Sequence, residues 1–467
     1  MRTLVWFRGK DLRIADNLAL AEACKGTHVI PLFVAGHELR EGAHRAQFVL
    51  ESAAALAKNL EQLGSGLVVV RGDAVAVVPE KAARWKVDRV VALRRTEPRA
   101  RDEAKKVRAA LRVPLTLLDG ETLLPPETIR TQGGTPFSVF TPFARAFRQQ
   151  LDGIGATVPA PKHVPPLPPE AKREGTTLPT LAELGITRAD GVFTGGERAA
   201  RERMKAYLAN GAADYPDTRD RVDLDGTSRF SADLRAGVLS IRTIWNATEK
   251  ALARKHRALD VFTNELLWRE FAHSLIWDRP RLVKEPFREA FASFPWEKDR
   301  KRLEAWKNGK TGYPVVDASA RQLLAEGFVP NRARMISASF LTKHLFIDYH
   351  SGEKHYYEEL TDGDQSQNNT GWQWSAGCGV DAQPYFRVFN PTVQGKRFDP
   401  DGVYVRRWLP ELANLPTRYI HEPSEAPARV LAAAGVVLDQ DYPSPIVDHA
   451  EARGKFLAVA SSFISKG

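Results

Sequence analysis

Four short segments of this chain place residue types at spacings that could do chemistry. In the first, Tyr215-x-x-x-Arg219 precedes Gly226-Thr227-Ser228-Arg229-Phe230-Ser231. Backbone N–H groups, hydroxyls and a guanidinium leading into a helical pattern suit a phosphate. Read alone, the same residues also make an ordinary helix cap with a solvated arginine. In the second, Asn264-Glu265-Leu266-Leu267-Trp268-Arg269-Glu270-Phe271, a helix sets Glu265, Trp268 and Arg269 at i, i+3 and i+4. An acid, a flat π-face and a cation on one side can grip a planar polar ligand, although an ion pair beside a core tryptophan has the same pattern. The third, Asn331-Arg332-Ala333-Arg334-Met335, puts Asn331 and Met335 on one helical face; taken singly it is a basic helix. The fourth joins Asp362-Gly363-Asp364, Asn368-Asn369-Thr370-Gly371-Trp372-Gln373-Trp374 and Tyr385-Phe386-Arg387-Val388-Phe389-Asn390. Its DGD opening is that of a calcium loop, but the sixth and twelfth positions, which need Gly and Glu, hold Gln367 and Gln373. What remains is a polar, tryptophan-bearing element with paired carboxylates.

Other chemistries lack their residues. Gly309-Lys310-Thr311 ends like a phosphate loop, yet Glu304 occupies the place of the required glycine. No GxGxxG opens the first helix after a strand and no GxSxG occurs, against dinucleotide-dehydrogenase and α/β-hydrolase readings. Cys24 and Cys378 are the only cysteines, without a CxxC, so a disulfide framework, a zinc site and a cysteine-ligated cluster lack ligands. No metal is expected.

The elements that must position these segments follow from pattern. Thr3–Arg8, His28–Val34, Leu67–Arg71, Arg89–Leu93 and Leu115–Leu118 are β-rich runs separated by helical stretches, the rhythm of a parallel α/β sheet. From residue 131 to about 180 the chain turns rich in Gly and Pro, which reads as a connector. Beyond residue 200 the pattern is mostly helical. The expected organisation is therefore an α/β domain over 1–130, a linker over 131–196 and a mainly α-helical domain over 197–467. The 467 residues carry 67 Lys+Arg against 57 Asp+Glu, a spread excess of +10 that suits a polyanionic partner. No stretch approaches the ~20 apolar residues that span a bilayer, and the N-terminal apolar run is broken by Arg8, Lys10 and Asp11, so a cytoplasmic protein is expected.

Together, WFRGKDLRIADNLAL, GTSRFS, NELLWREF, AWKNGKTGYPVVDA, NRARM, DGDQSQNNTGWQWSAG, FNPTVQGKRFDPDG and RRWLPEL resemble the photolyase/cryptochrome family, specifically class I cyclobutane pyrimidine dimer (CPD) photolyases, nearly end to end. The resemblance implies a Rossmann-like antenna domain, a helical domain holding FAD in a folded conformation, UV-damaged DNA as partner and a monomeric protein. It also implies light-driven splitting of the dimer by one electron from reduced FAD. By position, Tyr215, Thr227, Ser228, Arg229, Ser231, Arg334, Asp362 and Asp364 match flavin contacts, and Asn368 matches the amide beside flavin N5. Glu265, Trp268, Asn331, Met335 and Trp374 match the lining of the dimer pocket, with Glu265 catalytic, and Arg332 and Arg387 match DNA-backbone contacts. The related (6-4) enzymes carry histidines at the Asn331/Met335 face, so cyclobutane dimers are the expected substrate.

Two positions depart from the family pattern. The photoreduction chain, usually three tryptophans, maps to Trp372, Tyr349 and Trp296, so its middle station is a phenol that loses a proton on oxidation. The antenna loop reads Thr96-Glu97-Pro98, nearer to deazaflavin- or flavin-antenna members than to folate-binding ones, but preceded by Arg94 and Arg95 where an acid is usual; the second chromophore stays open at this point. The alternative reading is a cryptochrome-type photoreceptor without repair. The retained pocket residues and the short stretch after RRWLPEL speak for repair. A dark flavin oxidoreductase would want a nicotinamide site, and none is visible in the sequence.

Overall fold

The structure, a computed structural model, describes residues 1–174, 177–382 and 386–464. Five runs of β-branched and aliphatic residues form strands β1 (Arg2–Phe7), β2 (His28–Ala35), β3 (Val68–Arg71), β4 (Arg89–Leu93) and β5 (Leu115–Leu118). All neighbours pair in parallel, in the order β3-β2-β1-β4-β5. Both faces of such a sheet must be covered, which is why its strands are continuous apolar runs. Leu4, Trp6, Ile30, Leu32 and Val90 pack with Val77, Val78, Trp85 and Val107 from the covering helices. The rest of the chain is mostly helical, as expected, and no described helix is long and apolar enough to cross a membrane.

Two compact units are formed from interleaved segments: residues 1–213, 228–280 and 360–366 in the first, 214–227, 281–359 and 367–467 in the second. The first unit contains the sheet and the helices α1 (Ala43–Gln62), α2 (Phe140–Arg148), α3 (Phe230–Ala236) and α4 (His256–Asp278). Helix α2 lies inside the Gly/Pro-rich stretch read as a connector. Its Phe140, Phe143, Ala144 and Phe147 recur at i, i+3, i+4 and i+7 and are buried, with Phe143 5.0 Å from Phe271 of α4. Pro142 falls in the first turn, where its missing N–H costs nothing.

Gly237 ends α3 at φ +66°, and a Cβ there would lie 1.8 Å from the Lys10 carbonyl oxygen, so only glycine lets these two backbones meet. Arg13 donates to the Gly237 carbonyl at 2.9 Å, and Arg242 pairs with Asp16 at 2.7 Å. These contacts join residues 228–280 to the sheet. In the second unit lie α5 (Asn331–Lys343), α6 (Tyr349–Glu359) and most of α7 (Gln365–Ala376). There the Gly309-Lys310-Thr311 segment is structural: the Thr311 N–H and hydroxyl donate to Asp317 at 2.8 and 2.6 Å.

Candidate active site

Glu265 and Trp268 stand half-buried on α4, a helix whose neighbouring Leu266, Leu267 and Phe271 are core. The indole of Trp268 lies flat on Phe140 of α2, centroids 3.7 Å apart and planes 8° from parallel. One π-face is thereby fixed by the protein and the ring held rigid beside Glu265. The sequence grouped Arg269 with them, and the structure corrects this. Arg269 is buried and donates to Glu270 at 3.0 Å, while Glu270 accepts from the Leu123 N–H, so this cation belongs to the interior. Burial pushes the Glu270 carboxyl up to about 7, against the pull of Arg269.

Beyond the carboxyl ends of β1 and β4, where the strand order departs in opposite directions from β1, α/β sheets commonly bind ligands. Here an ion network fills that place. The Lys10 ammonium lies 2.5 Å from Asp364, 2.6 Å from Glu97 and 3.2 Å from Glu121, and Arg95 reaches Glu97 at 2.9 Å. Burial alone would raise the Glu97 carboxyl, but Lys10 and Arg95 outweigh it and bring it down to about 2. His273, driven down to about 4 by burial and Arg269, is neutral and bonds Thr96 at 2.6 Å. Glu121, His273 and Asp364 could offer metal ligands, but the Lys10 ammonium already sits against both carboxylates of that set. Arg95, one of the two antenna-loop departures, is thus a buried partner of Glu97.

This network also fixes residues 360–366, which carry Asp362. Arg45 of α1 donates to the Leu360 carbonyl at 3.0 Å, Arg235 of α3 to the Gly363 carbonyl at 2.9 Å, and the Gln365 N–H to Glu97 at 3.3 Å. Asp364, matched to a flavin contact, therefore has its carboxylate on Lys10. Asp362 is buried beside Thr361, whose buried hydroxyl has no hydrogen-bond partner. Ser228, Arg229 and Ser231 are half-buried around the start of α3, where Arg229 adopts φ 52° and lies 5.1 Å over Phe193.

In the second unit, the accessible residues of α7 are Gln367, Asn368, Thr370, Gly371 and Trp374, which form one helical face. The Asn368 amide nitrogen donates to the Glu353 carbonyl of α6 at 2.9 Å. The Asn369 amide donates to the Glu353 carboxyl at 3.0 Å. Burial pushes that carboxyl up to about 7. No side chain fills the space at Gly371 within 4 Å of where a Cβ would stand. Within the second unit, an amide beside open space fits the polar edge of a flavin ring; within the first, the buried Thr361 hydroxyl that lacks a partner fits a nucleotide contact.

Trp372 is buried against Gly352, where a Cβ would come within 2.2 Å of the indole. Its ring neighbours are Tyr356 at 5.2 Å and Trp306 at 6.0 Å, both buried and neither expected from sequence. Tyr349 is buried, stacks on His350 at 4.0 Å, and its hydroxyl has no hydrogen-bond partner. Trp296 is half-buried, 4.4 Å from Phe294.

Tyr215 is nearly buried under the Arg219 guanidinium, and Thr227 half-buried. Arg334 donates to the Val329 carbonyl at 2.6 Å, and Arg332 pairs with Asp220 at 2.7 Å. Asn331 and Met335 share a face, the Asn331 amide 3.6 Å from the Met335 sulfur. Arg387 is exposed, and its carbonyl accepts from the buried Lys343 ammonium at 2.9 Å. Tyr385, quoted with this motif, lies outside the described residues. Lys343, Glu353, Trp306 and Tyr356 were missed because each acts from an element distant in sequence from the motif it supports. Trp306 alone had a signal, in AWKNGK.

A family model described as DNA photolyase matches residues 3–166, and one described as the FAD binding domain of DNA photolyase matches residues 262–462. A deoxyribodipyrimidine photo-lyase of Agrobacterium fabrum is 39% identical over 466 residues, covering 97% of this chain and 96% of its own. Among solved structures, a bacterial class III photolyase from Agrobacterium tumefaciens superposes with a TM-score of 0.92 at 38% identity, covering 99% of this chain and 98% of that one. A cryptochrome of Synechocystis sp. PCC6803 superposes with a TM-score of 0.91 at 30% identity, over 98% and 99% of the two chains.

Proposed function

This chain belongs to the DNA photolyase family, and from that membership we propose that it repairs cyclobutane pyrimidine dimers in UV-damaged DNA under light, as a monomer in the cytoplasm. FAD, when bound in its reduced form, would supply the light-driven one-electron chemistry that ring splitting needs. The chain's own residues hold the lesion and the cofactor. Trp268, backed by Phe140, offers a flat apolar face to the two joined pyrimidines once they have left the stack, which offsets an unstacking cost of roughly a few kcal/mol. Glu265 hydrogen-bonds the pyrimidine carbonyl/imide edge and stabilises charge that develops there. Trp374, Asn331 and Met335 of the second unit supply a second indole, an amide and a soft apolar contact. Neither of the last two is a histidine, so no imidazole proton donor stands on that face and the cyclobutane dimer is favoured over the (6-4) product. Arg332 and Arg387 serve the phosphate backbone. Tyr215, Thr227, Ser228, Arg229, Ser231, Arg334, Asp362, Asp364 and Asn368 hold the flavin, Asp364 through the loop it anchors.

The observation that carries this reading is the rigid, half-buried Trp268 on Phe140 with Glu265 three residues before it. Glu265→Ala removes a hydrogen bond to charge worth about 1.5–3 kcal/mol, so repair per absorbed photon falls by about tenfold or more while FAD content is kept. Unchanged repair would take Glu265 out of the mechanism. A second antenna chromophore, of deazaflavin or flavin type rather than folate, belongs to this reading: an archaeal photolyase from Sulfolobus tokodaii, 27% identical with a TM-score of 0.82, was solved with two FAD molecules.

A further inference from the structure

Helix α4 begins in an exposed basic run. Lys250-Ala251-Leu252-Ala253-Arg254-Lys255-His256-Arg257 holds four Lys and Arg and no acid, with Glu249 before it and Asp260 after. Lys250, Arg254, Lys255, His256 and Arg257 are all exposed, while Leu252 is buried and ties the run down. The accessible residues of α4 include Arg257, Val261, Glu265 and Trp268. At spacings of i, i+4, i+8 and i+11 these form one stripe along the helix. Arg257 thus stands on the same side as Glu265 and about 12 Å from it along the axis, at 1.5 Å per residue. A DNA strand advances about 3.4 Å per nucleotide along a duplex, so this distance is about three to four nucleotides.

We propose that Lys250, Arg254, Lys255 and Arg257 bind phosphates of the DNA strand flanking the lesion, Arg257 about three to four nucleotides from it. The inference rests on the repair reading and names contacts that reading does not assign. The run offers point charges rather than base-reading geometry, so it holds the flank of any sequence and gains its strength from counterion release. An anionic membrane would attract the same charges. The shared stripe with Glu265 and Trp268 favours the strand that presents its bases there.

The test measures binding of the full-length, FAD-loaded protein to a labelled duplex with one central thymine dimer, across a range of salt concentrations. Wild type is compared with a variant carrying Lys250→Ser, Arg254→Ser, Lys255→Ser and Arg257→Ser. All four positions are exposed, and retained FAD absorbance confirms folding. Each lost phosphate contact lowers the log–log salt slope by about 0.9, so the variant's slope should be shallower by about 2 or more. On duplexes trimmed to end two nucleotides from the dimer, on the 5′ or the 3′ side, one trimming should bring wild type down to the variant's slope. Repair per flash at saturating DNA should be the same for both proteins. Equal slopes on the full duplex, a difference that survives both trimmings, or a loss confined to phosphatidylserine vesicles would each overturn the proposal. A wild-type protein with no preference for dimer over intact duplex would remove the repair reading itself, and this inference with it.

Discussion

The Asn368 amide is oriented by the Glu353 carbonyl that accepts from its nitrogen, and Glu353 is held in turn by Asn369. The Glu353 carboxyl is raised by burial from 4.5 to about 7. The folded state therefore binds the extra proton between those values. Its contribution to stability is fully present below pH 4.5 and is lost as pH rises through about 7. Glu353→Gln should flatten the fall in melting temperature across this window, measured on the FAD-loaded protein; an unchanged profile would assign the fall to other buried carboxyls such as Glu38 and Glu270. Trp372 is a second residue-scale case. Tyr349 is buried with its hydroxyl unpartnered, so no base stands ready for the proton an oxidised phenol releases, whereas Trp306 and Tyr356 touch the Trp372 ring. Trp372→Phe should abolish light-driven flavin reduction and leave repair by chemically reduced protein intact, read by absorbance and by dimer loss respectively. Loss of both activities would contradict that division of roles. The motif DGDQSQNNTGWQW made Asn368 and Trp372 legible, but Glu353, Trp306 and Tyr356 come from other helices and leave no mark within it.

At the scale of elements, the five strands were legible to within about one residue because a sheet buried on both faces demands unbroken apolar runs. Helix α2 was not. Its phenylalanines have helical spacing, but the surrounding Gly and Pro dominate the composition, and its stability comes from packing on α4. The clasp of Lys10, Arg45 and Arg235 on residues 360–366 was equally invisible, since isolated cations in a sequence give no hint of burial. Lys343 makes the same point for the loop bearing Arg387. Burial lowers its ammonium to about 7, and it donates to the Arg387 carbonyl. Lys343→Met should loosen that loop and weaken DNA binding by about 1 kcal/mol, roughly fivefold, with FAD content retained. Affinity equal to wild type in a titration with dimer-containing duplex would show that the loop does not need this tether.

For the whole molecule, the compact units gather segments far apart in the chain: residues 228–280 and 360–366 group with the sheet. The reason is local chemistry, the Lys10–Gly237 close approach and the Asp16–Arg242 and Thr96–His273 pairs, each linking residues far apart in the chain. Such pairs have no periodicity for a sequence pattern to reveal. What the full chain does is tested most directly by irradiating the chemically reduced, FAD-loaded protein with an oligonucleotide that carries one thymine dimer, beside a dark control, and counting restored thymines. The account predicts restoration in the light and none in the dark. A protein that binds the lesion with reduced FAD in place and leaves the dimer intact after irradiation would contradict it.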